Sequence, residues 1–393
     1  MSDIFILCSK FINKTIKGMI IVNLCYIIKS FSQIDLLRKF VKSNINIIGI
    51  NSISELKDDY LLVISNKDSD FNEVMNKLTN ALVWEELYNY FYDYSLDRYM
   101  KNYDFYHLKY SLKKALKPDN EAIVVGSSYA LFGIEESVLN FPCVNLSLAS
   151  QDIYYASVIG KYVISQNNNI KKIFIGTGYY SFYNDLSLSQ GSELMRLTDV
   201  YYPIFKDKHN CKELPGNNSW ISFKYEIFDV EQILDFFSNN FFEESGGRYF
   251  AGTRDRFKSR IVFGEKKDAK WFELDDSLKE KSAYERADSH NKAIKYIDSY
   301  KENINIMNSF VSFCNERNVK VYLLVFPGTK FYKKYLSKEY KESYASALSL
   351  INGEIRFIDL DEFCVFDDKD FVDMDHLDEG GAAKVSWIIN NLN

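Results

Sequence analysis

Two short stretches of this 393-residue sequence hold side chains whose types and spacing suit proton transfer and nucleophilic attack. Gly126-Ser127-Ser128-Tyr129 follows the apolar run Ala122–Val125 and leads into Ala130-Leu131-Phe132. A strand, two small residues and then a helix present a hydroxyl where free N–H groups and the positive end of the helix favour a developing oxyanion. The same pattern also describes an ordinary helix N-cap, for which serine is a preferred residue. The second stretch is Phe371-Val372-Asp373-Met374-Asp375-His376-Leu377, ahead of a final helical pattern through Trp387. Of the four histidines (His107, His209, His290 and His376), only His376 stands in a carboxylate-rich loop after the last apolar run. One tight turn brings Asp373 onto its Nδ1–H, fixing the tautomer and leaving Nε2 to take a proton from a serine. Asp375, next to the histidine, is expected to project elsewhere. On its own this stretch also reads as a surface Asp-rich loop ending in a helix cap.

The elements that must position these residues follow from the apolar runs. Ala122–Val125, Cys143–Leu146, Ile173–Ile175, Val321–Phe326 and Ile355–Leu360 are short and rich in Val and Ile, and most precede a helical pattern. Continuous apolar strands alternating with helices predict a parallel sheet covered on both faces, with chemistry at the strands' carboxyl ends. Residues 121–393 are therefore read as a three-layer α/β/α domain around a five-stranded parallel sheet. A long insertion, at about 177–318, interrupts it. Ala293, Ile297, Tyr300, Ile304, Met307, Val311 and Cys314 step by three and four within the insertion and predict one long helix with an apolar face. Glu285-Arg286 and His290-Asn291 would open that helix, Asn291 as a cap and His290 in a polar pocket.

Residues 1–80 read as a small α/β module. Strands are expected at Ile4–Cys8, Met19–Leu24, Asn46–Ile50 and Tyr60–Ser65, with a helix over Ser30–Lys42 and a turn or short helix at Ser54–Lys57. No Gly-x-Gly-x-x-Gly follows the first strand, so a dinucleotide has no evident phosphate cradle. Residues 81–120 are read as a helical linker in which Trp84, Leu87 and Phe91 form a core stripe.

Composition narrows the function classes. Lys plus Arg number 48 against 54 Asp plus Glu, giving a net charge of −6 with no basic block, which argues against nucleic-acid binding. Six well-separated cysteines (Cys8, Cys25, Cys143, Cys211, Cys314 and Cys364) show no CxxC and fit free thiols in a reducing compartment. The longest apolar run, Met19–Ile28, is interrupted by Asn23 and falls short of the roughly 20 residues that span a bilayer. A cytoplasmic protein is expected.

Taken together, the two chemical stretches resemble the SGNH (GDSL-type) hydrolase superfamily. VDMDHLDEGGAAKVS is similar to its final block, and GSSYALFGI to the variant first block of D-alanyl transfer proteins and alginate-type O-acetyltransferases. The resemblance implies Ser128 as nucleophile, His376 as general base and Asp373 as the acid that orients it, with Ser127 where many members carry Asp. Asn145-Leu146-Ser147-Leu148-Ala149-Ser150-Gln151 matches the second block in position, placing Ser150 where a glycine commonly donates its main-chain N–H. Gly176-Thr177-Gly178 stands in place of Gly-x-Asn, so either a main-chain N–H near Gly178, or Asn184, or a tyrosine supplies the missing donor, or the site is specialised. Ser127, Thr177, Arg248 and His290 are expected at the substrate. Gly246-Gly247-Arg248 and Arg254-Asp255-Arg256 would clamp an anionic or sugar group, and Pro327-Gly328-Thr329 would shape the rim.

The module at 1–80 adds a second resemblance. IIGINSISELKDDYLLVIS resembles the small Rossmann-like modules found beside bacterial surface-polysaccharide enzymes. Together these imply a serine-dependent O-acetyl or acyltransferase acting on a surface-polysaccharide precursor. An acyl donor such as acetyl-CoA and a glycan acceptor are implied, with no metal and no tightly bound cofactor. A lipid-linked acceptor would bring peripheral membrane association. The alternatives are a carbohydrate esterase of the same fold and a non-catalytic scaffold that binds glycan or a partner.

Overall fold

The computed structural model describes residues 23–78, 81–214, 227–244 and 270–392. The chain divides into two compact units, residues 1–103 with 218–241, and residues 104–217 with 242–393. Ile4–Cys8, Arg248 and Arg254–Arg256 lie outside the described residues.

In the first unit, β1 (Asn23–Ile27), β2 (Asn46–Ile50), β3 (Tyr60–Ile64) and β4 (Ala81–Val83) form a parallel sheet in the order β2-β1-β3-β4. The helix Ile34–Phe40 falls inside the predicted segment, and the short 3-10 turn Ile53–Glu55 overlaps the predicted one at Ser54 and Glu55. Residues 84–101 form one helix, and Trp84, Leu87 and Phe91 are buried as the stripe predicts. They belong to this unit rather than to a linker. Phe40 packs on Phe91, Phe236 and Phe237, and Phe91 on Phe228, so part of the expected insertion completes this core. Aromatic rings on two helices bury more area together than either helix can bury alone.

The second unit holds β5 (Ala122–Gly126), β6 (Cys143–Asn145), β7 (Lys172–Thr177), β8 (Lys320–Val325) and β9 (Ile355–Asp359), paired in parallel in the order β6-β5-β7-β8-β9. All five runs predicted as strands are strands. β5 lies between β6 and β7 and every one of its residues is buried, as its unbroken apolar run requires. The order reverses beside β5, so its carboxyl end lies at the switch point where such sheets bind ligands. Gly126 ends β5 at φ 134°, and a Cβ there would come within 2.2 Å of the Gly176 carbonyl oxygen. Glycine is required at that close approach.

The predicted long helix is two helices. Asp276–Asn291 ends, a 3-10 turn spans Lys292–Lys295, and Ile297–Asn315 follows, burying Ile304, Met307, Val311 and Cys314. The break falls at Tyr296, whose ψ of 62° is not helical, and Ile297 stays exposed. Glu285, Arg286 and His290 therefore lie in the preceding helix, not at the start of this one. Asn291 caps nothing: its amide donates to the Tyr335 carbonyl and accepts from the Ser337 N–H, tying the helix end to that turn.

The five described cysteines are free thiols. No helix among the described residues is long and apolar enough to cross a membrane.

Candidate active site

The loop after β5 places both serines. Ser127 is the N-cap of the helix Ser128–Gly133, its Oγ accepting from the Tyr129 N–H at 3.4 Å. Ser128 is the first helical residue, and its Oγ lies 2.8 Å from His376 Nε2. The two readings of this stretch are thus divided between neighbours: one hydroxyl caps, the other meets the imidazole.

His376 sits in a closed loop. Val372 donates to the His376 carbonyl and Asp378 to the Asp370 carbonyl, while Phe371 and Leu377 form an antiparallel bridge. Thr329 fastens the loop from outside, its N–H and Oγ1 both donating to the Met374 carbonyl at 3.0 and 2.9 Å. Thr329 anchors the histidine loop and is not part of the cleft's lining, so the expected rim role does not hold. Asp373 turns back onto the ring, with Oδ2 and Oδ1 at 2.9 and 3.0 Å from Nδ1. Its Oδ1 also accepts the N–H groups of Asp375 and His376. Nδ1 therefore carries the proton and Nε2 is free to accept one from Ser128.

Asp375 does not project elsewhere. Its side chain is 1% exposed, and Oδ1 lies 3.2 Å from His376 Nδ1. Oδ2 accepts from Tyr129 Oη at 2.9 Å and from Arg286 Nε at 3.0 Å. Adjacency to the histidine does not decide direction here, because the tight turn at Asp373 folds both carboxylates under the ring. Burial disfavours the imidazolium, but Asp373 and Asp375 outweigh it and hold the His376 pKa above its ordinary value. Burial likewise disfavours the Asp375 carboxylate. Arg286, followed by His376, reverses this and holds its pKa well below the usual range. Burial and the Asp375 charge raise the Tyr129 pKa, so its hydroxyl stays protonated and donates.

Arg286 and His290 come from one face of the helix Asp276–Asn291. Ala283 and Ala287 on that face are fully buried, and their small size lets the helix pack closely on the helix Lys330–Tyr335. The i, i+4 spacing of Arg286 and His290 was the one sequence signal for this wall. Tyr129, Tyr180 and Tyr332 had none beyond their abundance. Tyr180 Oη donates to Tyr129 Oη at 3.1 Å, and its ring stacks on His290 at 4.0 Å between centroids.

A cleft of about 350 Å³ opens beside these groups and is lined by Ser127, Ser128, Ser150, Asn184, Arg286 and His290 among others. Thr177 is not at it. Its hydroxyl is spent on the Leu324 carbonyl and Tyr344 in the sheet core, because its position at the end of β7 faces inward. Gly178 also departs from expectation: its N–H donates to Ser181 Oγ at 2.9 Å and is not open to an oxyanion. Ser150 keeps its expected place. Among the described residues its main-chain N–H has no partner, and neither has that of Ser128.

Ser150 adopts φ 58°, a left-handed conformation that glycine takes freely and a side chain takes at a cost of about 1–2 kcal/mol. Ser150→Gly is expected to be neutral or up to about 1 kcal/mol stabilising, and Ser150→Val to cost about 2 kcal/mol. Urea unfolding of the two variants checks this; equal stabilities would remove the conformational constraint.

Two clusters have metal-ligand composition among the described residues. In the first, Asp373, Asp375 and His376, both ring nitrogens are engaged and Arg286 already neutralises Asp375. In the second, Asp185, His209 and Glu302, the Asn210 amide donates to both carboxylates at 3.0 and 2.8 Å and fills the position a cation would take. No known family model matches this chain, and no curated protein matches it.

Proposed function

We propose that the second unit is an SGNH-like acyl-transfer enzyme in which Ser128 is the nucleophile, His376 the general base and Asp373 the group that orients it. The observation that carries this is the continuous line Ser128 Oγ, His376 Nε2, His376 Nδ1, Asp373 Oδ2, with contacts of 2.8 and 2.9 Å at the switch point of the sheet. Ser128 Oγ attacks an ester or thioester carbonyl while its proton passes to Nε2. The carbonyl oxygen becomes an oxyanion within reach of the Ser128 and Ser150 N–H groups. His376 then returns the proton to the leaving alcohol or thiol, and an acyl-serine remains. A second hydroxyl, deprotonated by the same nitrogen, takes the acyl group and frees the serine.

The cleft favours a carbohydrate as that second hydroxyl. Its polar lining is largely uncharged hydroxyl and amide, including Asn184 and Ser289, and Tyr296 adds an exposed aromatic ring. Sugars present hydroxyls for the first and C–H faces for the second. The reading is therefore O-acyl transfer to a glycan precursor, with an acyl donor of the acetyl-CoA kind. Water as the acceptor would make the same site an esterase.

A fluorophosphonate probe tests the assignment. It is expected to attach covalently to Ser128 in the native protein and to leave Ser128→Ala unlabelled. No labelling of the native protein, or equal labelling of Ser128→Ala, would overturn it.

A further inference from the structure

The acyl-transfer reading leaves the oxyanion with two main-chain donors, Ser128 N–H and Ser150 N–H, since the Gly178 N–H and the Thr177 hydroxyl are bonded elsewhere. A third donor has to come from another wall. We propose that His290, as a neutral imidazole, donates from Nε2–H to the oxyanion formed when an acyl carbonyl is attacked by Ser128. This rests on the acyl-transfer reading and adds a catalytic group to it.

The ring is held by two tyrosines: Tyr180 stacks on it and Tyr332 meets it edge-on at 5.7 Å between centroids, while Tyr340 Oη fixes the backbone by donating to the His290 main-chain carbonyl at 2.6 Å. His290 lines the cleft that also holds Ser128. We take the Tyr332 hydroxyl as the donor in its 2.6 Å contact with His290 Nδ1. Tyr332 is buried and its pKa is raised by burial, so it keeps its proton. Nε2 then carries the ring's own hydrogen, and among the described residues no side chain accepts it.

The ring also stays neutral. Burial and then the Arg286 charge push its pKa down to about 3, against a smaller opposing pull from Asp375. His376 adds to the depression when charged. A neutral imidazole in a positive field is an effective hydrogen-bond donor to developing negative charge, because it offers a proton it does not lose. Arg286 is matched already by Asp375 and serves here to hold His290 in that state. The rival donor is the Asn184 amide, which lines the same cleft.

The experiment follows the rate of fluorophosphonate labelling and of p-nitrophenyl acetate hydrolysis. His290→Phe, which keeps an aromatic ring against Tyr180, is expected to lower kcat about 100-fold with KM changed less than threefold. His290→Gln keeps an N–H donor and is expected to recover about tenfold of that loss. Asn184→Ala is expected to lower kcat by less than His290→Phe does. In the phosphonylated native protein, whose phosphoryl oxygen stands at the oxyanion position, the His290 Nε2–H resonance is expected to move downfield, with no titration of the ring from pH 5 to 9. That measurement needs no His290 variant to fold. The proposal fails if His290→Phe reacts at the native rate, if Asn184→Ala costs more than His290→Phe, or if the adduct leaves the His290 proton unmoved. A native protein that takes no label at all would instead overturn the acyl-transfer reading, and this proposal with it.

Discussion

Ser128→Ala and His376→Ala are each expected to lower kcat/KM toward an activated ester by about four to six powers of ten, and the double variant to cost little more. The near-equality follows from the geometry. Among the described residues Ser128 Oγ hydrogen-bonds to no other base and His376 Nε2 to no other hydroxyl, so removing either end of the 2.8 Å contact removes the whole proton path. The residual rate belongs to the oxyanion donors, which remain in both variants. Ser127→Ala separates the neighbouring hydroxyls. It deletes a helix cap and is expected to cost about 0.5–1 kcal/mol of stability while leaving turnover within a few-fold. The assignment would be falsified if Ser127→Ala were inactive while Ser128→Ala turned over normally. Single-turnover kinetics with thermal melts of each variant make the distinction.

What was legible in the sequence is what depends on short spacing. The five strands of the second unit read directly, because a strand buried on both faces must be apolar without interruption. The Asp373–His376 contact read as well, because a three-residue separation closes in one turn. What did not read is what depends on chain segments far apart. The sequence does not place Asp375 in the site, because its neighbour position says nothing about Arg286, 89 residues away, whose Nε donates to its carboxylate. The single helix expected across Ala293 and Ile297 broke because the apolar step of three and four continues through a 3-10 turn that the periodicity does not see. That residues 230–241 belong to the first unit is hidden from the sequence for a similar reason. Their aromatic face complements Phe40 and Tyr92, and that complementarity exists only in three dimensions.

The pair of carboxylates beneath His376 leads to the remaining large effect, which is one of pH as well as rate. Only neutral His376 accepts the serine proton, so kcat/KM is expected to rise with pH through its pKa. That pKa is held above the ordinary value by Asp373 and Asp375. Asp373→Asn leaves the oxygen that accepts the two main-chain N–H groups in place and sets an amide N–H against Nδ1. The ring is then driven to the opposite tautomer, with the proton on the nitrogen that should accept one. A loss of about three to four powers of ten is expected, with the fold retained. Asp375→Asn acts differently. Nδ1–H keeps its hydrogen bond to Asp373, so the tautomer survives, but a negative charge is lost 3.2 Å from the ring and Arg286 is left without its counter-ion. Both changes disfavour the imidazolium, and the acid limb of the profile is expected to move about one unit toward lower pH. The plateau should fall only about tenfold. The two variants therefore separate orientation from charge: one lowers the whole curve, the other slides it. An Asp375→Asn profile whose limb stays at the native pH, or moves upward, would show that the second carboxylate does not act on His376 and serves only to hold Arg286 and Tyr129.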